Sequence, residues 1–188
     1  MAYQLIKIKR NIKQNYEIIC NEITTSIFSY LGFDFFNDLV KNNIIHIYNI
    51  KKKGNISSII TVIDYKNYNR INKKIFFYLL RKPITLIKSF IYLIKSLSKK
   101  TNLKLNTKYL HLLHLIIFKK DFLDISLKSK DLLFDKFYKK ILKEHNASIF
   151  FLCFEEKNDS AYKYYTRNKF KSFYKKKDII YLKKKFKI

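Results

Sequence analysis

The chain has 188 residues, of which 48% are hydrophobic and 17% aromatic, and its formal net charge is +26. This length suits one domain with a sizeable core, and the apolar content excludes an intrinsically disordered chain despite the charge. Arg occurs only at positions 10, 70, 81 and 167, so Lys supplies nearly all of the 40 basic residues. We favour codon drift in an A+T-rich genome over a polyanion-binding surface, because dedicated nucleic-acid binders use Arg for bidentate contacts.

The cysteines and the first residues limit the class of protein further. Neither Cys20 nor Cys153 lies in a Cys-x-x-Cys or Cys/His spacing, so the sequence predicts no metal site and no disulfide framework. Cys153 lies in the apolar run 149–154 and is predicted to be a core residue. The N-terminal residues lack the apolar segment of a signal peptide, and no stretch of about 18 uncharged apolar residues occurs. We therefore expect a cytoplasmic protein without a transmembrane segment.

Periodicity predicts the elements of the first half in chain order. Residues 3–9 alternate apolar and basic side chains, as in a strand, and residues 15–40 read as one or two helices broken near Gly32. The runs 44–50 and 56–64 form a hairpin around the turn Lys53-Gly54-Asn55. Residues 67–98 are helical with an interruption before Pro83, and the helix from Pro83 is basic and amphipathic. Such a helix can lie on a membrane, but its apolar stripe is more simply a core face.

The second half alternates strands and helices. We predict a polar loop at 99–108, a buried central strand at 109–118, a polar connection at 119–130, a helix at 131–144 with Leu132, Leu133, Phe137 and Ile141 inward, a strand at 147–155, a helix at 158–168, and a closing hairpin of 171–176 and 179–186. No internal repeat or linker occurs. The fold class is therefore α/β (α+β): one domain, 1–188, with a mixed, mostly antiparallel sheet flanked by helices and a helical insertion at about 66–98.

One segment has a specific pattern. Residues 158–170 read Asn, two residues, Ala, two residues, Tyr-Tyr, three residues, Lys, Phe, after a buried strand and before the terminal hairpin. This resembles the GNAT superfamily of acyl-CoA N-acyltransferases, whose pattern has Gly where this chain has Lys169. Asn158 can cap the helix, and the resemblance also implies that Asn158 and Ala161 lie beside the pantetheine arm of the cofactor. It further implies that Tyr165, one helical turn after Ala161, protonates the departing CoA thiolate; a purely structural core tyrosine is the alternative.

The second family signature is altered. GNAT enzymes carry Gln/Arg-x-x-Gly-x-Gly/Ala after the central strand, where backbone N–H groups and a helix N-terminus hold the CoA pyrophosphate. Here one alignment puts Asp124, Leu127 and Ser129 at those positions, and the other puts Leu123, Ser126 and Lys128 there. Neither supplies a glycine, so three interpretations remain open. The loop could present its amides in an ordinary helical turn with charge from Lys128 or Lys130, bind CoA weakly, or have lost the site.

The resemblance also implies direct acetyl transfer from acetyl-CoA to an amine. A backbone N–H near Ile117 or Phe118 would hold the oxyanion, and Tyr165 would be the acid. His114 is our candidate base; it lies three residues from His111, which predicts that the two histidines face opposite sides of the strand. Asp64 and Glu22 are weaker candidates, and a core role is the simpler interpretation of either histidine.

The predicted function is an N-acetyltransferase that moves an acetyl group from acetyl-CoA to a primary amine of a small molecule, with an amino sugar among the candidates. We expect a monomer or homodimer without a specific nucleic-acid partner. The alternatives are a non-catalytic GNAT-fold protein and a basic protein that binds nucleic acid or an anionic membrane. The sequence shows no helix-turn-helix, zinc knuckle or RNA-binding aromatic motif in support of the last class.

Overall fold

A computed structural model describes residues 2–23, 26–81 and 108–188. The strands are β1 (Tyr3–Ile8), β2 (Ile45–Lys52), β3 (Asn55–Asp64), β4 (Tyr109–Ile117), β5 (Ile149–Glu155), β6 (Lys171–Lys176) and β7 (Ile179–Lys185). The helices are α1 (Lys13–Glu22), α2 (Ile27–Lys41), α3 (Tyr68–Arg81), α4 (Leu127–Glu144) and α5 (Asp159–Arg167), with short 3-10 turns at Tyr65–Asn67 and Lys119–Phe122. The predicted helix that follows Pro83 lies outside the described residues.

The strands form one seven-stranded sheet in the order β1-β2-β3-β4-β5-β7-β6. Every neighbouring pair is antiparallel except β4 and β5, which are parallel and are connected by α4. The mixed, mostly antiparallel sheet predicted from the sequence is therefore confirmed.

A separate apolar core covers each face of the sheet. On one face α4 and α5 pack on the central strands, with Phe134, Tyr138 and Phe150 fully buried. On the other face α1 and α2 pack over β2, β3 and β4, with Phe36 and Leu39 fully buried. Strands that carry apolar side chains on both faces must lie in the middle of such a sheet, which explains the continuous hydrophobic run of β4.

Glycine occupies the two predicted breaks. Gly32, with φ of 83°, kinks α2 at the predicted position. Gly54, with φ of 85°, follows Lys53, with φ of 51°, in the two-residue connection between β2 and β3. Positive φ at both central residues is the geometry of the hairpin turn that matches strand twist, so the predicted hairpin is confirmed.

Three predictions made from periodicity were wrong in detail. The helix predicted at 131–144 begins four residues earlier, at Leu127, because Ser126 caps it. Leu132, predicted to point inward, is 64% exposed, since the buried stripe of α4 runs through Phe134, Phe137 and Ile141. Cys153, predicted to be a core residue, is exposed.

No helix within the described ranges has the length and apolarity that a membrane crossing requires.

Candidate active site

A groove opens in the middle of the sheet where β4 and β5 separate. The two parallel strands pair only at Tyr109 with Ile149, Leu110 with Phe150 and His111 with Phe151. Beyond His111, β4 continues to Ile117 beside β3, whereas β5 continues to Glu155 beside β7. The backbone edges of both strands therefore face each other without pairing.

The ladder between β3 and β4 decides which backbone amides face this groove. The Phe118 N–H donates to the Ser57 carbonyl oxygen at 3.0 Å, so that amide is already used within the sheet. Hydrogen bonds alternate in direction along an antiparallel strand, so the Ile117 N–H points to the opposite edge, which β5 has left. Of the two amides predicted to hold an oxyanion, Ile117 has the suitable direction and Phe118 does not.

The N-terminus of α4 follows the end of β4 after a short loop. Ser126 is the N-cap residue, and its Oγ accepts a hydrogen bond from the Ser129 N–H at 3.1 Å. Leu127 and Lys128 form the exposed first turn of the helix. Their backbone N–H groups have no partner inside a helix, and the helix dipole favours an anion there.

The loop before α4 is held against the edge of the sheet. The Tyr3 ring stacks on Phe122 with centroids 5.1 Å apart, and the Tyr3 hydroxyl donates to the Asp121 carbonyl oxygen at 2.8 Å. Lys52 Nζ lies 2.6 Å from the Asp124 carboxylate. Asp124 therefore has a structural role, because its ion pair helps to hold the loop. These contacts fix the path of the backbone from the end of β4 to Ser126.

The conformation of this loop does not require glycine. The residues of the described chain with positive φ are Asn11, Gly32, Asn43, Lys53, Gly54, Asn146, Lys169 and Lys177, and none lies between 119 and 130. The loop therefore has the ordinary helical-turn conformation that the first of the three interpretations requires, and CoA binding by its amides is a proposal. Lys128 is exposed and Lys130 is partly buried, with its Nζ 5.4 Å from the centre of the Phe122 ring.

The motif segment forms the N-cap of α5, α5 itself and the turn that follows. Asn158 Oδ1 accepts the Ala161 N–H at 3.0 Å, which confirms the predicted cap. Lys169, at the family's glycine position, has a φ of 62°. Its N–H bonds to the Thr166 carbonyl, and the Phe170 N–H bonds to the Tyr165 carbonyl, which is the hydrogen-bond pattern of a Schellman C-cap.

Tyr165 lies inside the core, on the face of the sheet that α4 and α5 cover. Its ring stacks with Phe154 of β5 at 6.0 Å and meets Phe170 edge-on at 5.2 Å. Phe154 lies beyond the point where β5 leaves β4, so Tyr165 packs against the wall of the groove. Burial raises the pKa of the Tyr165 phenol well above its usual value, which keeps the hydroxyl protonated at neutral pH.

His114 lies on the other face, under α1 and α2. A β-bulge at Leu113 shifts the register, so His111 pairs with Ile63 and His114 with Thr61. Residues directly opposite in a ladder share a face, so both histidines lie on the same face; the prediction of opposite faces was wrong because it assumed an unbroken strand.

The surroundings of His114 are largely apolar. Its Nε2 lies 3.4 Å from Ser26 Oγ, its ring meets Phe28 edge-on, and its Nδ1 is buried without a hydrogen bond in the described part of the chain. Burial lowers the pKa of His114 to about 4. The imidazole is therefore neutral at pH 7.

Of the weaker base candidates, Asp64 does not lie in this groove. Asp64 pairs with Leu110 at the start of β4, whereas the groove opens beyond His111. Glu22 is exposed at the end of α1. Two features of the site were not predicted: the N-cap at Ser126 and the contact of Ser26 with His114. The available signal for the cap was Ser126 itself, since serine is a preferred N-cap residue.

No protein-family model and no curated protein matches the sequence. Solved structures match over essentially the whole chain. Campylobacter jejuni N-acetyltransferase PseH in complex with acetyl coenzyme A is 12% identical with a TM-score of 0.55, covering 98% of this chain and 99% of that chain. A probable acetyltransferase from Staphylococcus epidermidis is 9% identical with a TM-score of 0.56, covering 98% and 99%.

A third structure, the PaiA N-acetyltransferase of Thermoplasma acidophilum in complex with coenzyme A, is 11% identical with a TM-score of 0.52, covering 99% of this chain and 100% of that chain. At such low identity these matches concern the fold. Together with the element order and the groove between β4 and β5, they establish that the chain has the GNAT acyl-CoA N-acyltransferase fold.

Proposed function

We propose that the protein is an N-acetyltransferase that transfers an acetyl group from acetyl-CoA to a primary amine of a small molecule. The observation that carries the proposal is the separation of β4 from β5 beside the capped N-terminus of α4. Two solved structures of the same fold, PseH and PaiA, contain acetyl coenzyme A and coenzyme A. An acyl-CoA needs both features: a slot for an extended arm and donors for a pyrophosphate.

The first turn of α4 supplies the pyrophosphate donors in this proposal. The N–H groups of Leu127 and Lys128 would point at the phosphates, and the Lys128 ammonium would add charge. The pantetheine arm would run between the edges of β4 and β5, past Asn158 and Ala161 at the start of α5. Ser126 and Ser129 would shape the start of the helix through their mutual hydrogen bonds.

The chemical step would use groups on both sides of the groove. The amine nitrogen attacks the thioester carbonyl carbon, and the Ile117 N–H donates to the developing oxyanion. Tyr165, kept protonated by burial, protonates the departing thiolate. His114, neutral at pH 7, accepts the proton that the amine nitrogen loses as it bonds to the carbonyl carbon, directly or through a water.

An amine of a small molecule fits the face that His114 occupies. The described side chains near its imidazole are Ser26, Phe28 and Thr61, of which Thr61 Oγ1 is also buried without a partner among the described residues. These three side chains are themselves buried, so they set the polarity around the imidazole. An amino sugar is the first acceptor to try.

Cofactor binding is tested with acetyl-CoA alone. A ligand that binds only the folded state raises the unfolding temperature, so acetyl-CoA at about 100 times its dissociation constant should stabilise the protein by ~2.7 kcal/mol. Desulfo-CoA should also stabilise, and adenosine should not. An unchanged unfolding temperature at millimolar acetyl-CoA would contradict the proposal.

Catalysis is tested with a matched pair of tyrosines on α5. Tyr165→Phe removes the hydroxyl of the proposed acid and should lower kcat at least about 100-fold, with KM for acetyl-CoA little changed. Tyr162→Phe alters an exposed tyrosine on the same helix and should leave kcat unchanged. Equal turnover in the two variants would remove Tyr165 from the mechanism while leaving cofactor binding intact.

A further inference from the structure

A second polar cluster lies at the opposite end of the sheet from the groove. His46 is in β2, Asp64 is the last residue of β3, and His145 follows the last residue of α4. Asp64 pairs with Leu110, near the start of β4, whereas the N-terminus of α4 marks the other end. The cluster thus lies at the opposite end of α4 from the proposed pyrophosphate site, and on β3 it is three residues from Thr61, which pairs with His114.

The cluster places two imidazoles around one carboxylate. His145 Nδ1 lies 2.8 Å from Asp64 Oδ1, and His46 Nε2 lies 3.5 Å from Asp64 Oδ2. Burial raises the pKa of Asp64, but the hydrogen bonds from the two imidazoles lower it more, so the carboxylate is ionised. The side chains of His46 and His145 are 8% and 4% exposed, so neither ring is free to turn into solvent.

These three side chains have the spacing of a metal-ligand set. One ligand atom from each lies within 4.8 Å of the others. A four-coordinate zinc ion with bonds of about 2.0–2.1 Å requires ligand atoms roughly 3.3 Å apart, so side-chain movements of about 1 Å would bring the three atoms to that spacing. Two nitrogen ligands favour a transition metal over calcium or magnesium, which prefer oxygen.

The remaining nitrogen of His145 already has a partner that would orient it as a ligand. Its Nε2 lies 2.9 Å from the hydroxyl of Tyr48, which is 1% exposed. With a metal on Nδ1, Nε2–H would donate to the Tyr48 oxygen, and the Tyr48 hydroxyl would donate to Glu144. Lys7 Nζ, 2.6 Å from Glu144, completes this chain. Metal-binding histidines are characteristically held by such an outer partner.

Solvent reaches the cluster through a polar pocket. The pocket has a volume of about 370 Å³, and its charged lining residues besides the cluster are Lys7, Lys66, Arg70 and Glu144. Three protein ligands leave one tetrahedral position for water or a small anion, and the excess of basic over acidic residues in the lining outside the cluster favours an anion there.

We propose that His46 Nε2, Asp64 and His145 Nδ1 bind one divalent transition-metal ion of the zinc class at this end of the sheet. The site is independent of the acetyl-transfer groove, since it shares no residue with it. Metal binding would join β2, β3 and the C-terminus of α4.

The first experiment uses the full chain with both cysteines replaced (Cys20→Ser, Cys153→Ser), because thiolates also bind zinc. Titration with Zn²⁺ alone should give one equivalent, and the unfolding temperature should rise by several degrees at saturation. Co²⁺ alone should give the intense visible bands of a four-coordinate site. Two results would overturn the proposal in this protein, whose cluster residues are unchanged. One is the weakly coloured spectrum of six-coordinate Co²⁺; the other is no bound zinc when the Zn²⁺ concentration is about 100 times the protein concentration.

The second experiment assigns the ligands. In the same cysteine-free chain, Asp64→Asn and His145→Gln should each weaken Zn²⁺ binding more than about 100-fold, beyond the 10–100-fold expected for the outer partner variant Tyr48→Phe. His114→Gln, a histidine outside the cluster, should bind Zn²⁺ as the parent does. Equal affinity in Asp64→Asn and the parent would overturn the assignment.

Discussion

Lys169 shows how this chain manages with two glycines. Within the described part of the chain, six residues other than glycine have positive φ: Asn11, Asn43, Lys53, Asn146, Lys169 and Lys177. Asparagine tolerates this conformation, but lysine does so at a cost of about 1–2 kcal/mol. The Schellman hydrogen bonds at the end of α5 hold Lys169 there despite that cost.

Replacing Lys169 with Gly should therefore stabilise the protein. We expect a net gain of about 0.5–1 kcal/mol, because the relief of strain exceeds the entropy that glycine adds to the unfolded chain. Urea denaturation measures the change in the free energy of unfolding. The control is Lys163→Gly, an exposed position inside α5, which should lose roughly 1 kcal/mol. A loss in both variants would show that the backbone at Lys169 is not strained.

The burial of His114 makes the free energy of unfolding depend on pH. Burial lowers its folded-state pKa to about 4, whereas the unfolded chain has a histidine pKa near 6.5. Between these values the unfolded state binds a proton that the folded state does not. The contribution of His114 to stability is thus complete above pH 6.5 and is lost progressively as the pH falls toward 4.

The His114→Gln variant measures that loss. From pH 6.5 to pH 5 the parent should lose up to about 2 kcal/mol more free energy of unfolding than His114→Gln, which has no titrating group there. Urea melts at both pH values give the difference, and other acid-sensitive groups cancel because they are common to both proteins. Parallel losses in the two proteins would mean that His114 titrates normally in the folded state.

At the scale of the element, the start of α4 has two roles, helix capping and proposed pyrophosphate binding. Substitutions of Ser126 can distinguish them. Ser126 caps the helix through the Ser129 N–H, and the same turn supplies the proposed pyrophosphate donors. A cap is a matter of stability, whereas anion binding depends on the charge near the first amides. Substitutions that keep one property and change the other therefore distinguish the roles.

Ser126→Asp should keep the stability of the parent, because Asp is as good a cap as Ser and its charge suits the helix dipole. Its carboxylate would repel the pyrophosphate and should weaken acetyl-CoA binding about 10-fold. Ser126→Ala should show the reverse, with a loss of about 1 kcal/mol in stability and little change in affinity. Urea melts and calorimetric titration give the two quantities; equal acetyl-CoA affinity in Ser126→Asp and the parent would exclude this turn as the phosphate site.

At the scale of the whole molecule, the net charge of +26 remains to be interpreted. Several lysines are held in ion pairs, including Lys7 with Glu144 and Lys52 with Asp124. With 40 Lys and Arg residues against 14 Asp and Glu, most basic side chains cannot be paired. A field of this kind favours any anion, coenzyme A included.

We expect this charge to give only nonspecific binding to nucleic acid. Affinity for a DNA duplex should fall roughly 1000-fold or more between 50 and 200 mM salt, as for several phosphate contacts without base recognition. Acetyl-CoA binding should fall much less, because helix amides and the groove contribute to it. Fluorescence anisotropy at several salt concentrations measures both. Tight DNA binding that persists at 200 mM salt would favour the alternative of a dedicated nucleic-acid binder.

Most elements were predictable because their signals are local. Alternation marked β1, Gly54 marked the hairpin of β2 and β3, and the spacing from Asn158 to Phe170 marked α5 with its cap. The start of α4 was missed by four residues because Leu127, Lys128 and Lys130 resemble a polar connection when read without the Ser126 cap. The prediction that His111 and His114 lie on opposite faces of β4 was wrong because a bulge leaves no periodic signal in an apolar run.

The sequence by itself determined the order of strands and helices, the fold class and the helix that carries Tyr165, since each follows from periodicity, caps and turns within a short segment. Only the tertiary structure decided what these segments do together. The separation of β4 from β5, the direction of the Ile117 amide, and the meeting of His46, Asp64 and His145 all depend on pairings between residues distant in the chain. Such contacts are set by packing and strand register, which no local pattern encodes.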